Sequence, residues 1–247
     1  MKYTDSIHRK FRAEVCDALR HKTHFDTQRK AFFRYLPGSK KQYLKGVHRV
    51  TARAFGSLRK LIYETRDSGE ANDTKSKTAT ARGSRIGREL CKWAAAGPKQ
   101  KKLPKSAHPW TKFVAAALEK WGIHLLDGEV PVSRGKVATG VDLLGVKYHP
   151  TDLTWHLVCI ELKSGYRGPQ WRANRGLTKT QHNLRVTRSI RNYALTQVQL
   201  TQMCASASLK NAYEFDPPLV LQVNDDGVSK ASPNAEIQEL CSKLLRH

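Results

Sequence analysis

Residues 153–163, LTWHLVCIELK, are apolar through their middle and end in Glu161-Leu162-Lys163. A short run this apolar is expected to be a strand buried on both faces. Such a strand belongs inside a sheet covered by helices on both sides. The neighbouring segments fit that frame. Residues 109–121, PWTKFVAAALEKW, place Trp110, Phe113, Val114, Ala117 and Trp121 on one stripe, with Pro109 suited to the first turn and Gly122 to the stop. Residues 123–132 are strand-like, and Pro131 points to an edge position. Residues 137–147 give a second strand and 218–223 a fourth. Long helical stretches are expected over 178–207 and 234–246, the last with Asn234 as its cap. The order helix, three strands, helix, strand predicts an α/β domain with a mixed sheet over residues 106–247.

Charged residues inside those strands point to chemistry. Side chains two apart in a strand share a face, so Glu161 and Lys163 project side by side, about 6.5 Å apart along the chain. Asp142 lies in the middle of the preceding strand, and residues 148–152 form the turn between the two. Antiparallel pairing about that turn sets Asp142 opposite or diagonal to Glu161. An odd sum of paired positions keeps both carboxylates on one face; an even sum separates them. Two carboxylates held together in an apolar sheet repel unless a cation lies between them. A hard divalent ion, Mg²⁺ or Mn²⁺, meets that need, and Lys163 on the same face can bind a phosphate oxygen or orient water. These are the parts of metal-assisted phosphodiester hydrolysis. The competing reading is a plain Glu161–Lys163 ion pair at a sheet end, which leaves Asp142 without a partner.

The rest of the chain supplies charge. The 247 residues carry a net +23, and residues 1–105 hold 27 Lys and Arg against 9 Asp and Glu, an excess of +18. Like charges at that density destabilise a compact state unless something neutralises them, so a polyanion is the expected partner. Residues 1–64 are expected to be a basic helical nucleic-acid-binding region, with helices over 5–20 and 40–64 and a break at Leu36-Pro37-Gly38. Residues 65–105 are expected to be a flexible basic linker with a short helix. Five cysteines without a close pair suit reduced thiols in an intracellular protein; if the source is eukaryotic or viral, the nucleus or another DNA-containing compartment is the expected location. His21 and His24 have ligand-like spacing but no second pair nearby, and are expected to be surface histidines. No apolar run is long enough to span a membrane, and the start lacks the apolar core of a secretory signal.

Asp142, followed 19 residues later by Glu161-Leu162-Lys163, resembles the D…ExK signature of the PD-(D/E)xK nuclease superfamily. The order of elements over 109–223 is similar to the restriction-endonuclease-like α-β-β-β-α-β core of that superfamily. The resemblance covers about the last 140 residues and none of the basic N-terminal half. It implies that Asp142 and Glu161 are metal ligands with the backbone carbonyl of Leu162, that Lys163 is the catalytic lysine, and that the cofactor is Mg²⁺ or Mn²⁺. Thr178-Lys179-Thr180-Gln181 is similar to the Lys-x-x-Gln region after ExK in Holliday-junction resolvases and the herpesvirus nuclease-like protein, which implies a place for Gln181 near the scissile phosphate.

There are departures from the family pattern. Val141 stands where many members have proline, and the acid that many carry on the first helix has only Glu119 as a candidate, or Glu129 on the first strand.

The loop after the site, residues 165–172, mixes aromatic and basic residues that suit unpaired bases and phosphates. Arg167, Arg172, Arg175 and Lys179 are the expected nucleic-acid contacts, whereas Gln202 is expected on a helix surface. The function expected is a Mg²⁺-dependent deoxyribonuclease, with DNA favoured over RNA. The alternatives are a non-catalytic nucleic-acid-binding or packaging protein on a nuclease-like fold, and a nicking subunit of a transposase or recombinase complex. The sequence leaves the oligomeric state open, a dimer included.

Overall fold

The computed structural model describes residues 1–20, 23–26, 28–29, 31–35, 38, 40–43, 77–99, 102–134, 139–164, 178, 198, 201–202, 205–206, 209, 212–224 and 227–230. The chain begins with helix α1, Asp5–Phe11, capped by Thr4, whose Oγ1 accepts the Ile7 N–H at 3.3 Å. A π-helical stretch, Arg12–Cys16, and the short helix α2, Asp17–Arg20, continue it. The helix expected over 5–20 is therefore present.

Three short strands follow: β1, Thr23–Asp26; β2, Ala31–Tyr35; and β3, Lys41–Tyr43. Aromatic residues at 25, 32, 33, 35 and 43 favour extended chain. Asp26 fixes the β1–β2 hairpin: its Oδ1 accepts the N–H groups of Gln28 and Arg29, both at 3.0 Å, and its Oδ2 accepts the Tyr43 hydroxyl at 2.7 Å. The break at 36–38 thus separates two strands, with Gly38 at φ +79° in the turn. The helix expected over 40–64 begins with β3, and its remainder lies outside the described residues.

Helix α3, Lys77–Ala96, runs through much of the expected linker. Ile86, Leu90 and Ala94 recur at every fourth position and enter the main apolar core. That stripe is too thin to stand out among basic neighbours in the sequence. Glu89 then ties α3 to helix α4, Pro109–Lys120. Its Oε2 accepts the His108 N–H at 2.9 Å and the Thr111 hydroxyl at 2.6 Å. A negative charge at that helix start is favoured by the exposed N–H groups. Pro109 opens α4 and Gly122, at φ +68°, follows its end, as the sequence predicts.

The remaining strands are β4, Ile123–Arg134; β5, Thr139–His149; β6, Thr154–Ser164; β7, Leu219–Asn224; and β8, Gly227–Lys230. All eight belong to one mixed sheet in the order β3-β2-β1-β4-β5-β6-β7-β8. The β4–β5–β6 meander is antiparallel, and β7 runs parallel to β6. Beyond Pro131, β4 pairs with β1 at Ser133 and Arg134. Strand β8 has no counterpart in the sequence reading.

Helices cover both faces, making the chain α/β. Leu143, Val158, Ile160, Leu221 and Val223 pack with α3 and α4. By strand alternation Asp142, Leu144, Val146, Leu157, Cys159, Glu161 and Val220 face the other way. Tyr3 reaches that second face, stacked on His124 at 4.1 Å and against Trp155 at 5.2 Å. Val198, Thr201 and Ala205 are helical and buried within the expected 178–207 segment, most of which lies outside the described residues, as does 234–246. Among the described residues no helix is long and apolar enough to cross a membrane. Cys16, Cys91 and Cys159 form no disulfide among the described residues.

Candidate active site

The register of one strand pair decides the site. Leu143 pairs with Ile160 and Leu144 with Cys159, an odd sum, so Asp142 and Glu161 share a face. Lys163 follows on that face, and β7 sets Val220 beside Glu161 and Gln222 beside Lys163. Gln222 was not singled out in the sequence, where it is one polar position in an apolar strand.

The three charged groups meet. Lys163 Nζ donates to Glu161 Oε1 at 2.5 Å. The Leu162 N–H donates to Asp142 Oδ2 at 2.7 Å, which pins that carboxylate across the strand gap. Asp142 therefore has a protein partner, unlike in the plain ion-pair reading of the sequence. Glu161 is 2% exposed, and its Oε2 is buried without a hydrogen-bond partner among the described residues. Burial pushes the Glu161 carboxyl up; Lys163 pulls it back, and Asp142 pushes it further, by its charge and by a side-chain hydrogen bond that a protonated Glu161 donates to it, leaving it at about 7. Asp142 and Lys163 are half-buried, so the Glu161 carboxylate sits beneath a partly open polar surface.

The donor set suits a hard divalent cation. Two carboxylates share one face, one with a buried oxygen that no protein donor reaches among the described residues, and the Leu162 backbone, next in sequence after Glu161, bonds to Asp142. Asp142, Glu161 and the carbonyl of Leu162 would hold the ion, while Lys163 keeps Glu161 Oε1.

Neither candidate fourth acid joins this pair. Glu119 is exposed on α4, the helix on the opposite face of the sheet. Glu129 is opposite Asp142 in register, flanked by the pairs Gly128–Leu143 and Val130–Val141. Its backbone is at φ +50°, and its Oε1 lies 3.4 Å from where a Cβ on Gly87 would be, so the side chain turns toward α3. There it contributes to a different effect: burial, then Glu129, Asp127 and Asp142, pushes the Cys91 thiol up to about 11. Gly128 is required at this crossing, since a Cβ there would lie 2.2 Å from Cys91 Sγ.

Gln181, Arg167, Arg172, Arg175 and Lys179 lie outside the described residues. Thr201, on the covering helical segment, donates its hydroxyl to the Gly140 carbonyl at 3.2 Å, two residues from Asp142. Gln202 beside it is half-buried, with Oε1 buried and unpartnered among the described residues, rather than on a helix surface. No protein family, curated protein or solved structure matches this chain.

Proposed function

We propose that this chain is a metal-dependent nuclease that hydrolyses DNA phosphodiester bonds on a restriction-endonuclease-like core. The observation that carries the reading is the buried, unpartnered Oε2 of Glu161 beside Asp142 and Lys163. The element order supports it: a helix, an antiparallel three-strand meander and a strand parallel to the third. Asp142 and Glu161 hold a Mg²⁺ or Mn²⁺ ion with the Leu162 carbonyl. When bound, that ion polarises a phosphodiester oxygen and lowers the pKa of a coordinated water. Lys163 donates to a phosphate oxygen and stabilises charge that develops on it. Leu162 N–H fixes the Asp142 carboxylate, so little reorganisation is needed. The net charge of +23 draws the polyanion to the surface whatever its sequence.

The test is cleavage of linear, circular, single-stranded and branched DNA with Mg²⁺ or with EDTA. Cleavage that needs the metal and is lost in Asp142→Asn and Glu161→Gln supports the proposal. DNA binding without cleavage of any substrate would favour a non-catalytic binding protein. Cleavage only after a partner protein is added would favour a nicking subunit of a larger complex.

A further inference from the structure

A second cluster of metal-binding side chains stands at the other end of the β5–β6 hairpin. His149 ends β5, His156 lies near the start of β6, and Asp216 precedes β7. The imidazole rings of His149 and His156 stack at 4.0 Å with 17° between their planes. Both present a nitrogen to the same oxygen: Asp216 Oδ1 is 2.7 Å from His149 Nε2 and 3.2 Å from His156 Nδ1. These ligand atoms all fall within 4.8 Å of one another. Donor atoms around a tetrahedral ion at metal–ligand distances of about 2.1 Å stand about 3.4 Å apart, so small shifts would complete such a set.

We propose that His149 Nε2, His156 Nδ1 and Asp216 bind a divalent transition-metal ion of the Zn²⁺ class. Three further observations support this. His149 Nε2 is buried and makes no aligned hydrogen bond, although Asp216 Oδ1 is close.

The outer nitrogen of His156 is held as metal-ligating histidines usually are. Its Nε2 lies 3.0 Å from Asp152 Oδ2 and 3.1 Å from Glu214 Oε2. Donation of Nε2–H to a carboxylate leaves Nδ1 as the bare ligand.

The backbone also sets the third ligand in advance. Asp216 N–H donates to the Leu157 carbonyl and Leu157 N–H to the Glu214 carbonyl, both at 2.9 Å. Lys147 Nζ approaches Asp216 Oδ2 at 3.9 Å, leaving Oδ1 to face the rings.

Two imidazoles and a carboxylate favour a borderline ion, whereas the all-oxygen Asp142–Glu161 pair favours a hard one. The two sites are on opposite faces of the hairpin, seven residues apart on β5. The ion would staple the hairpin to the segment that leads into β7, independently of any nuclease activity.

The test uses the full chain, stripped with EDTA, dialysed and titrated with Zn²⁺ alone by calorimetry, and with Co²⁺ by visible absorption. One equivalent of Zn²⁺, a Co²⁺ spectrum with ligand-field bands and a rise in Tm are expected. His149→Gln and Asp216→Asn should each lose stoichiometric uptake, with circular dichroism confirming that both remain folded. Asp152→Asn should weaken uptake by about 10- to 100-fold. Asp142→Asn and Glu161→Gln should leave it unchanged, which separates this site from the nuclease reading. No stoichiometric Zn²⁺ uptake, or uptake undiminished in His149→Gln and Asp216→Asn, overturns the proposal.

Discussion

Replacing Glu161 by glutamine should stabilise the metal-free protein at alkaline pH. In the folded chain the Glu161 carboxyl is raised from its ordinary 4.5 to about 7, chiefly by burial. A group raised in this way holds its proton more tightly folded than unfolded. Below about pH 4.5 both states are protonated and no penalty applies. Between 4.5 and about 7 the unfolded chain loses the proton first, so stability falls as pH rises. Above about 7 the full difference, about 3 kcal/mol, is in place. Glutamine has nearly the same shape, still accepts from Lys163 and never ionises. In EDTA, the Tm of Glu161→Gln relative to the native chain should therefore climb by about 6–12 °C between pH 4.5 and pH 8. Adding Mn²⁺ at pH 8 should reverse the order, because the native chain gains binding energy that the variant lacks. A Tm difference that stays constant from pH 4.5 to pH 8 would refute the assignment of Glu161 as a carboxyl whose burial outweighs its pairing with Lys163.

Three further outcomes are expected. Lys163→Ala should lose DNA cleavage in single-turnover assays while anisotropy shows affinity close to the native value, since one phosphate contact among many is removed. Replacing the exposed Lys2, Arg9, Lys10 and Lys40 together by glutamine should reduce the salt slope of DNA binding by about 3–4, if each contacts a phosphate; an unchanged slope moves the binding surface elsewhere. Glu89→Ala should cost about 2–4 kcal/mol in chemical denaturation, because the His108 N–H and the Thr111 hydroxyl both lose their acceptor.

The C-terminal α/β half was legible because its signals are local. The 109–120 stripe, the apolar run before Glu161 and the turn at 148–152 each dictate one element, and together they bring Asp142 and Glu161 onto neighbouring antiparallel strands. What the sequence left conditional was the parity of the register, which depends on a loop length that periodicity does not reveal. The N-terminal half was less legible for two reasons. Its strands are three to five residues long, and Asp26 makes their hairpin through side-chain bonds rather than through a glycine turn. Helix α3 hides its stripe of Ile86, Leu90 and Ala94 among polar and basic residues, so its burial is a tertiary fact. Deleting residues 1–95 would accordingly remove core side chains as well as charge, which is why charge substitution is the cleaner probe of binding. The His149–His156–Asp216 cluster was missed because Asp216 is brought to the hairpin only by its backbone bond to Leu157.

The Glu161–Lys163 pair is a poor device for stability, and that bears on its role. A hydrated ion pair adds little stability, and a buried one adds any only where hydrogen bonds satisfy its remaining oxygens and protons. Here Lys163 meets one oxygen of Glu161, the other oxygen is buried without a partner, and Asp142 adds like charge next to it. An apolar residue beside Val220 would avoid all three costs. The Leu162 amide does satisfy Asp142, but it does so by holding that carboxylate in place near Glu161. Folding alone gives no reason to gather two carboxylates and then fix them together. A shared proton would relieve part of this strain in the metal-free chain; a cation between the two would supply the missing partner of Glu161 Oε2 and remove the repulsion in one step, leaving Lys163 as a donor at the edge of the site.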